Sequence, residues 1–348
     1  MRQILITISV LILISGLLPL IKHDNWTFRV FEYPRVQKFI ITLVILAFWL
    51  IKSYRNPEWL DLFFIITISS LAIFLAVKIF PFTSFGEKMI ADSQSDESDS
   101  IHLMVLNVYQ HNTEYKKTIS LIEKVNPDVF FLVETNQAWA DAIQGFKKDY
   151  PYQIEVPLEN TYGLLFYSKY EFTNESVNYL IDDEIPSIEL DLVLSPEKSI
   201  RIYGIHPTPP VPSENPRSTD RDAEILKVGK KAKEHAGPCI VIGDLNDVGW
   251  SYSSELFLKI SGLLDLRRGR GLFNTFHAKY FFLRWPLDHI FVSEHFTLNR
   301  INIHPDVNSD HFPIGCVLHL ENNGNNQSME ANEEEEEEVE EKIEEGEE

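Results

Sequence analysis

Three apolar runs dominate the first 82 residues of this 348-residue chain, at 4–21, 39–51 and 62–77, and no run of that kind follows them. A helix needs about 20 largely apolar residues to cross the hydrocarbon core of a bilayer. The first run is long enough. The third becomes so if Lys78 snorkels and the helix continues to Phe82. The middle run spans only if its helix begins near Pro34 with Lys38 at the interface, and a buried or interfacial segment is the alternative. Arg2 could head a cleaved signal peptide, but no small-x-small site precedes Lys22, so an uncleaved anchor over residues 1–90 with two or three transmembrane helices is expected. Between the first two runs, Trp26, Phe28, Phe31 and Tyr33 mix with Arg29 and Arg35, the composition of a membrane surface. Four Lys/Arg in loop 22–38 against two near Lys52 place the following domain in the cytoplasm for three spans; two spans reverse the parity, so the side stays open.

From Asp92 onward apolar residues come in short bursts, as water-soluble folds require. Residues 91–100 read as a polar linker, 101–321 as a layered water-soluble domain and 322–348 as a disordered acidic tail. The stretch 330–348 has thirteen Glu and one Lys, so it holds twelve of the net 21 negative charges. Cys239 and Cys316 sit in apolar runs and supply neither a disulfide framework nor a zinc set.

Within the domain, IHLMVLNVY, DVFFLVET, YGLLFYS, SIELDLVL, SIRIYGIH, PCIVIGD, DHIFVS and IGCVLHL read as strands, with SIELDLVL and SIRIYGIH pairing antiparallel across SPEK. Residues 113–125 and 220–234 carry helical spacing. A mixed α/β or α+β layered fold follows.

CIVIGDLNDVGWS, residues 239–251, sets a buried strand against Asp244, Asn246 and Asp247, where a turn or a cation or phosphate site is expected. Other strand ends carry similar groups: Asn107, Glu134, His206, Asp288, Asp310 and His311. One polar strand end is routine, but one set per strand is the distribution of a site at the edge of a layered sheet.

The ordered series L-N (Asn107), P-D-V-x-x-L-x-E (to Glu134), G-x-L-x-x-S (to Ser168), His206, G-D-x-N (Asp244, Asn246), D-H-I-F-V-S (Asp288) and S-D-H-x-P (Asp310, His311) resembles the endonuclease/exonuclease/phosphatase superfamily. The resemblance covers about 220 residues. It looks closest to a membrane-anchored branch, with HPTPP and RGRGLFNTF as further matching segments. It implies a four-layer α/β/β/α sandwich preceded by transmembrane helices, and a multi-pass protein of a bacterial cell or inner membrane. The implied chemistry is divalent-metal-dependent phosphoester hydrolysis with Mg²⁺ or Mn²⁺, which suit hard oxygen ligands.

In that reading Glu134 is the first metal ligand, supported by Asn107 and Asp310. His311, oriented by Asp288, is the general base or transition-state partner, with Asp244 equally placed to take the proton of water. Asn246 positions water or phosphate, and His206 donates to a phosphate oxygen. Where many superfamily members carry Asp, Gln or Asn two residues after the Asn, this chain has Tyr109 followed by Gln110, which puts one outer contact in doubt.

Arg217, Arg221 and Arg268 are candidate phosphate clamps, with solvated arginines as the plain alternative. The domain's net negative charge without the tail weakens a nucleic-acid substrate without excluding it. Three functions remain: a tethered phosphodiesterase or nuclease, a phospholipid or sphingolipid head-group hydrolase, and a non-catalytic tethered binding module. The implied partners are a phosphoester substrate and the lipid bilayer, and no protein partner is implied.

Overall fold

The structure is a computed structural model and describes residues 2–94, 100–321 and 325–348. The chain begins with α1 (Arg2–Leu17), the short α2 (Trp26–Arg29), α3 (Arg35–Arg55) and α4 (Trp59–Ile79). Helices over Arg2–Leu20, Arg35–Arg55 and Trp59–Phe82 are each long and apolar enough to cross a membrane. The middle one starts directly after Pro34, the condition that its sequence set for spanning. Their interior is built on Ile45, Trp49, Phe64 and Ile68, but unlike a water-soluble bundle they are apolar on the outside as well. Ser9, Thr42 and Asp61 are buried, whereas Ile4, Leu11, Ile41, Phe48, Phe63 and Ile73 face outward, as lipid-facing helices require.

The sandwich follows: β1 (Ser100–Asn107), α5 (Tyr115–Val125), β2 (Val129–Val133), α6 (Gln137–Ala142), β3 (Tyr152–Val156), β4 (Leu164–Ser168), β5 (Phe172–Asn178), β6 (Ser187–Ser195), β7 (Lys198–Ile205), α7 (Thr219–Glu234), β8 (Cys239–Asp244), α8 (Tyr252–Ser261), β9 (Leu264–Asp265), β10 (Asp288–Val292), β11 (Phe296–Ile303) and β12 (Ile314–Leu320). They make two six-stranded mixed sheets, a first ordered β11-β12-β1-β2-β4-β3 and a second ordered β5-β6-β7-β8-β10-β9. Side chains alternate along each inner strand. In β2, Val129, Phe131 and Val133 join the core between the sheets, while Phe130 and Leu132 join the cluster beneath α5 and α6. On the far side, α7 and α8 cover the second sheet through Ile225, Leu226 and Phe257. This is the four-layer α/β/β/α arrangement.

All eight strands read from the sequence are present, and β6 and β7 pair antiparallel. The four that the sequence did not yield, β3, β5, β9 and β11, are the four sheet edges. An edge strand has one unpaired side and little need of apolar residues on both faces. β5 reads FTNESVN and is mostly exposed, and β9 has only two residues.

The acidic tail departs from expectation. Residues 333–347 form α9 (Glu333–Glu347), started by a capping box in which Asn332 and Glu335 bond reciprocally. Val339 and Ile343, four apart on one face, are buried against the α7–α8 layer. Burying each contributes about 1.5–3 kcal/mol, of the same order as the summed like-charge pairs along the helix at about 0.2–0.5 kcal/mol each. Lys22 and Lys230 pair with Glu338 and Glu340. Charge count alone therefore misjudged this segment. Of the expected linker, 95–99 lie outside the described residues, as do 322–324 of the tail. Ser93 N–H bonds the Leu298 carbonyl, so the linker's start is attached to the sandwich.

The aromatic and basic stretch between the first two apolar helices is largely packed on the sandwich. Trp26 N–H bonds the Pro216 carbonyl, Trp250 Nε1 donates to the Glu32 carbonyl, and buried Arg29 faces Asp222. Tyr33 and Val36 pack with Phe82, Val248, Trp250 and Leu287 in one cluster. The apolar helices and the sandwich thus share a continuous interface.

Candidate active site

Strand register fixes the site. In the second sheet β7 and β8 run parallel with Ile205 beside Gly243, so His206 follows one strand as Asp244 ends the other. β10 runs antiparallel to β8 with Asp288 directly opposite Asp244. Gly243 is required here: its φ is +147°, and a Cβ would stand 1.8 Å from the Ile205 carbonyl oxygen. In the first sheet β1 and β2 place Asn107 beside Val133, one residue before Glu134. Glu134 has a left-handed φ of 58°, a conformation that costs about 1–3 kcal/mol in a non-glycine residue and recurs at functional sites.

Two side-chain links join the sheets. Asn107 Nδ2 donates to Glu134 Oε1 at 2.7 Å in its own sheet and to Asp244 Oδ2 at 3.0 Å in the other. His311, on the approach to β12 of the first sheet, bonds Asp288 Oδ2 through Nδ1 at 2.7 Å. Its Nε2 lies 3.5 Å from Asp244 Oδ2, and His206 Nε2 lies 4.0 Å from the same oxygen. Ser309 fixes this corner, donating to the Asn107 carbonyl and accepting from His311 N–H.

Electrostatics separates the groups. Burial works against a charged His311, but Asp288 and Asp244 outweigh it and push the imidazole up to about 10. Burial alone would raise Asp244; His311 and His206 hold it below the usual carboxylate range. Burial lowers His206 to about 4, so it is a neutral imidazole, and its Nδ1 has no hydrogen-bond partner. Glu134 is pushed up to about 7, chiefly by desolvation, against the Asn107 hydrogen bond.

Asp244, Asp288 and His311 bring ligand-type atoms within 4.8 Å of one another. The hydrogen bond between His311 and Asp288 makes this trio a proton-handling group more than a cage. The oxygen donors left on the open side are Glu134 and Asp310, both only partly buried. Asp310 also repels the Glu134 charge. A divalent cation beside them would offset both the repulsion and the desolvation, so these residues fit one.

Asn107 presents its NH₂ to the carboxylates while its Oδ1 accepts from Tyr109 N–H, so it bridges Glu134 and Asp244 as a donor. At the departure after Asn107, Gln110 contributes its backbone N–H to Glu134 Oε2 and turns its side chain to the Glu159 carbonyl and Thr161 N–H. Asn246 borders the cluster, donating to the Pro207 carbonyl.

The three arginines are placed elsewhere. Arg221 is fully buried, its guanidinium engaged by Asp222, Asp247 and the Asn246 carbonyl. Arg217 is exposed beside Asp24. Arg268 lies over the Phe82 ring and against Met329. Isolated basic residues near turns carried no signal that their partners were internal. Conversely, Tyr33, whose hydroxyl donates to the Asn246 carbonyl, and Phe276, whose ring lies 5.0 Å from that of His311, touch the site without any motif to mark them.

Residues 104–311 match the Endonuclease/Exonuclease/phosphatase family. No curated protein matches the chain in sequence. Among solved structures, a humanized D. rerio TDP2 aligns with TM-score 0.52 at 15% identity, over 64% of this chain and 100% of that one. An endonuclease/exonuclease/phosphatase from Beutenbergia cavernae aligns with TM-score 0.53 at 15% identity, over 64% and 72%. The human Nocturnin catalytic domain aligns with TM-score 0.51 at 19% identity, over 63% and 94%. At these identities the likeness speaks for the fold.

Proposed function

The chain belongs to the Endonuclease/Exonuclease/phosphatase family, and on that premise we propose that it is a membrane-tethered, divalent-metal-dependent hydrolase of phosphodiesters. The observation that supports this most is the buried relay in which Asp288 orients His311 and Asp244 lies between His311 and His206. A phosphodiester repels water as a nucleophile because it is anionic, so the site must take a proton from water and offset charge on the phosphoryl oxygens.

Asp244, held ionised, is the group suited to accept that proton. His311, held charged by two carboxylates, offsets the growing negative charge and can donate to the leaving oxygen. His206 is a neutral donor at the same edge, and Asn246 positions water or phosphate through its amide. Glu134 and Asp310 would hold Mg²⁺ or Mn²⁺, which supplies Lewis-acid stabilisation of the phosphoryl oxygens when bound. With a nucleophile-activating carboxylate, a charged imidazole and metal-type oxygens all assembled, turnover is favoured over a binding-only role.

The test uses the full chain in lipid vesicles with bis(p-nitrophenyl) phosphate. Hydrolysis should require Mg²⁺ or Mn²⁺, stop with EDTA, and vanish in Asp244→Asn. Wild-type rates in both His311→Ala and Glu134→Ala would sink the proposed site.

A further inference from the structure

Beyond Phe85, the exposed large apolar side chains among the described residues are Val177, Tyr179 and four consecutive ones: Tyr280, Phe281, Phe282 and Leu283. Phe281 and Phe282 are 71% and 79% exposed. Four such residues in a row, flanked by Lys279 and Arg284, form a patch that soluble surfaces seldom show. We propose that this loop docks into the headgroup layer of the bilayer that the N-terminal helices cross, and that it turns the site toward phosphoester lipids as substrate.

The loop's level relative to the bilayer is set by a direct contact. Gln37 Nε2, in the first turn of α3, donates to the Phe282 carbonyl at 3.0 Å and lies 3.4 Å from the Arg284 carbonyl. With 21 residues, α3 is about 31 Å long at ~1.5 Å per residue, close to the ~30 Å of hydrocarbon. A loop bonded to its first turn therefore lies at the boundary between hydrocarbon and headgroups. The other helices agree on which end this is. At the C-terminal end of α4, Lys78 pairs with Glu255 of the sandwich, and just past α1, Lys22 bonds Tyr252. Aromatic rings with Lys and Arg are what this boundary selects, and the basic pair would meet anionic headgroups.

The same loop leads into the site. Ala278 N–H bonds the Asp310 carbonyl, Lys279 Nζ lies over the Tyr109 ring, and Phe276 packs on His311. A substrate lying in the headgroup layer thus meets Asp310 and His311 next to the inserted rings. Aromatic rings can also stack unpaired bases, but Leu283 offers no such face, the loop's bond to Gln37 sets the rings at the bilayer boundary, and Arg221 and Arg268 are engaged away from the site.

The substrate half of this inference rests on the hydrolase reading; the docking half rests only on α3 crossing the bilayer. The experiment separates them. Cys239 and Cys316 are buried, so in the full chain Phe282→Cys takes an environment-sensitive thiol fluorophore alone. Glu123→Cys, exposed in the last turn of α5 where β2 begins and not where it ends at Glu134, is the control. In phosphatidylcholine/phosphatidylglycerol vesicles, the label at 282 should be quenched by lipids with a shallow nitroxide and shielded from iodide, with the reverse at 123. Equal iodide access at both positions overturns the docking.

The second arm compares turnover of the vesicle phospholipid with that of bis(p-nitrophenyl) phosphate. In Phe281→Ser/Phe282→Ser the ratio of lipid to soluble-diester turnover should fall about tenfold, since much of the apolar area inserted at the interface is removed. An unchanged ratio overturns the substrate assignment. So does a wild-type chain that cleaves the soluble diester and no lipid. A wild-type chain that cleaves neither removes the hydrolase reading, while the fluorophore result still decides the docking.

Discussion

The first-sheet part of the site, with Asn107, Glu134 and nearby Asp310, keeps two carboxylates partly open to solvent; the second-sheet part, with His206, Asp244 and Asp288, is buried. Both are acidic, yet their neighbours differ. Glu134 has an amide and a backbone N–H as hydrogen-bond partners and shares its open side with Asp310, so it suits a cation from solvent. Asp244 and Asp288 have imidazoles beside them, so they suit proton transfer. Like residues at like strand ends thus take different work from the sheet they terminate and from what faces them across the sandwich.

Variants can break or sharpen that division. The largest effect is expected from His311→Ala, which removes one of the two links between the sheets: hydrolysis should fall about a thousandfold, within the range for a positioned acid–base group, with the folded domain intact by near-UV circular dichroism. A loss under about tenfold would dissociate the relay from chemistry.

Next comes Glu134→Gln, which should raise the Mg²⁺ or Mn²⁺ concentration for half-maximal rate by about tenfold or more while leaving the alkaline limb of the pH–rate profile in place. An altered alkaline limb with unchanged metal dependence would reverse the roles assigned to the two parts.

Asp288→Asn should do the converse. His311 is held near 10 largely by Asp288, so removing that charge lowers the imidazole pKa, and the alkaline limb of the pH–rate profile should move to lower pH. Metal dependence should stay put.

The smallest effect on activity concerns a buried carboxylate outside both parts. Burial pushes Glu224 up to about 8 from an ordinary 4.5. The folded state therefore binds a proton that the unfolded state releases between these values, so this group's stabilising contribution is present below pH 4.5 and declines as pH rises to about 8. Glu224→Gln should flatten that slope in urea titrations and leave hydrolysis near wild type. An unchanged slope would mean that burial alone does not set carboxylate pKa values here, weakening the same argument for Glu134.

Much of this organisation was legible because burial on both faces leaves a mark in one dimension. The eight interior strands are short runs of Val, Ile, Leu and Phe, and hydrogen-bonding polar groups at their ends stand out against them. The residues that were not legible lie where one-dimensional pattern is ambiguous. Edge strands are half-paired and half-polar. Arg221 reads like any basic residue until Asp222 and Asp247 are seen around it. Glu-rich α9 reads as disordered until Val339 and Ile343 find the α7–α8 layer. The run Tyr280–Leu283 fits no strand or helix pattern, and its exposure is visible only in the fold.

The sequence by itself determined the long apolar N-terminal helices, the layered α/β sandwich, and the residue types at the strand ends, because hydropathy period and turn chemistry are local properties. Only the tertiary structure decided that Asn107 meets Asp244, that His311 meets Asp288, that Arg221 and Arg268 are engaged away from the cluster, and that the aromatic loop lies at the end of α3. Each of these is a contact between residues more than 20 apart in sequence, or a burial set by packing, and strand register and sheet-on-sheet stacking fix such contacts where no local propensity can.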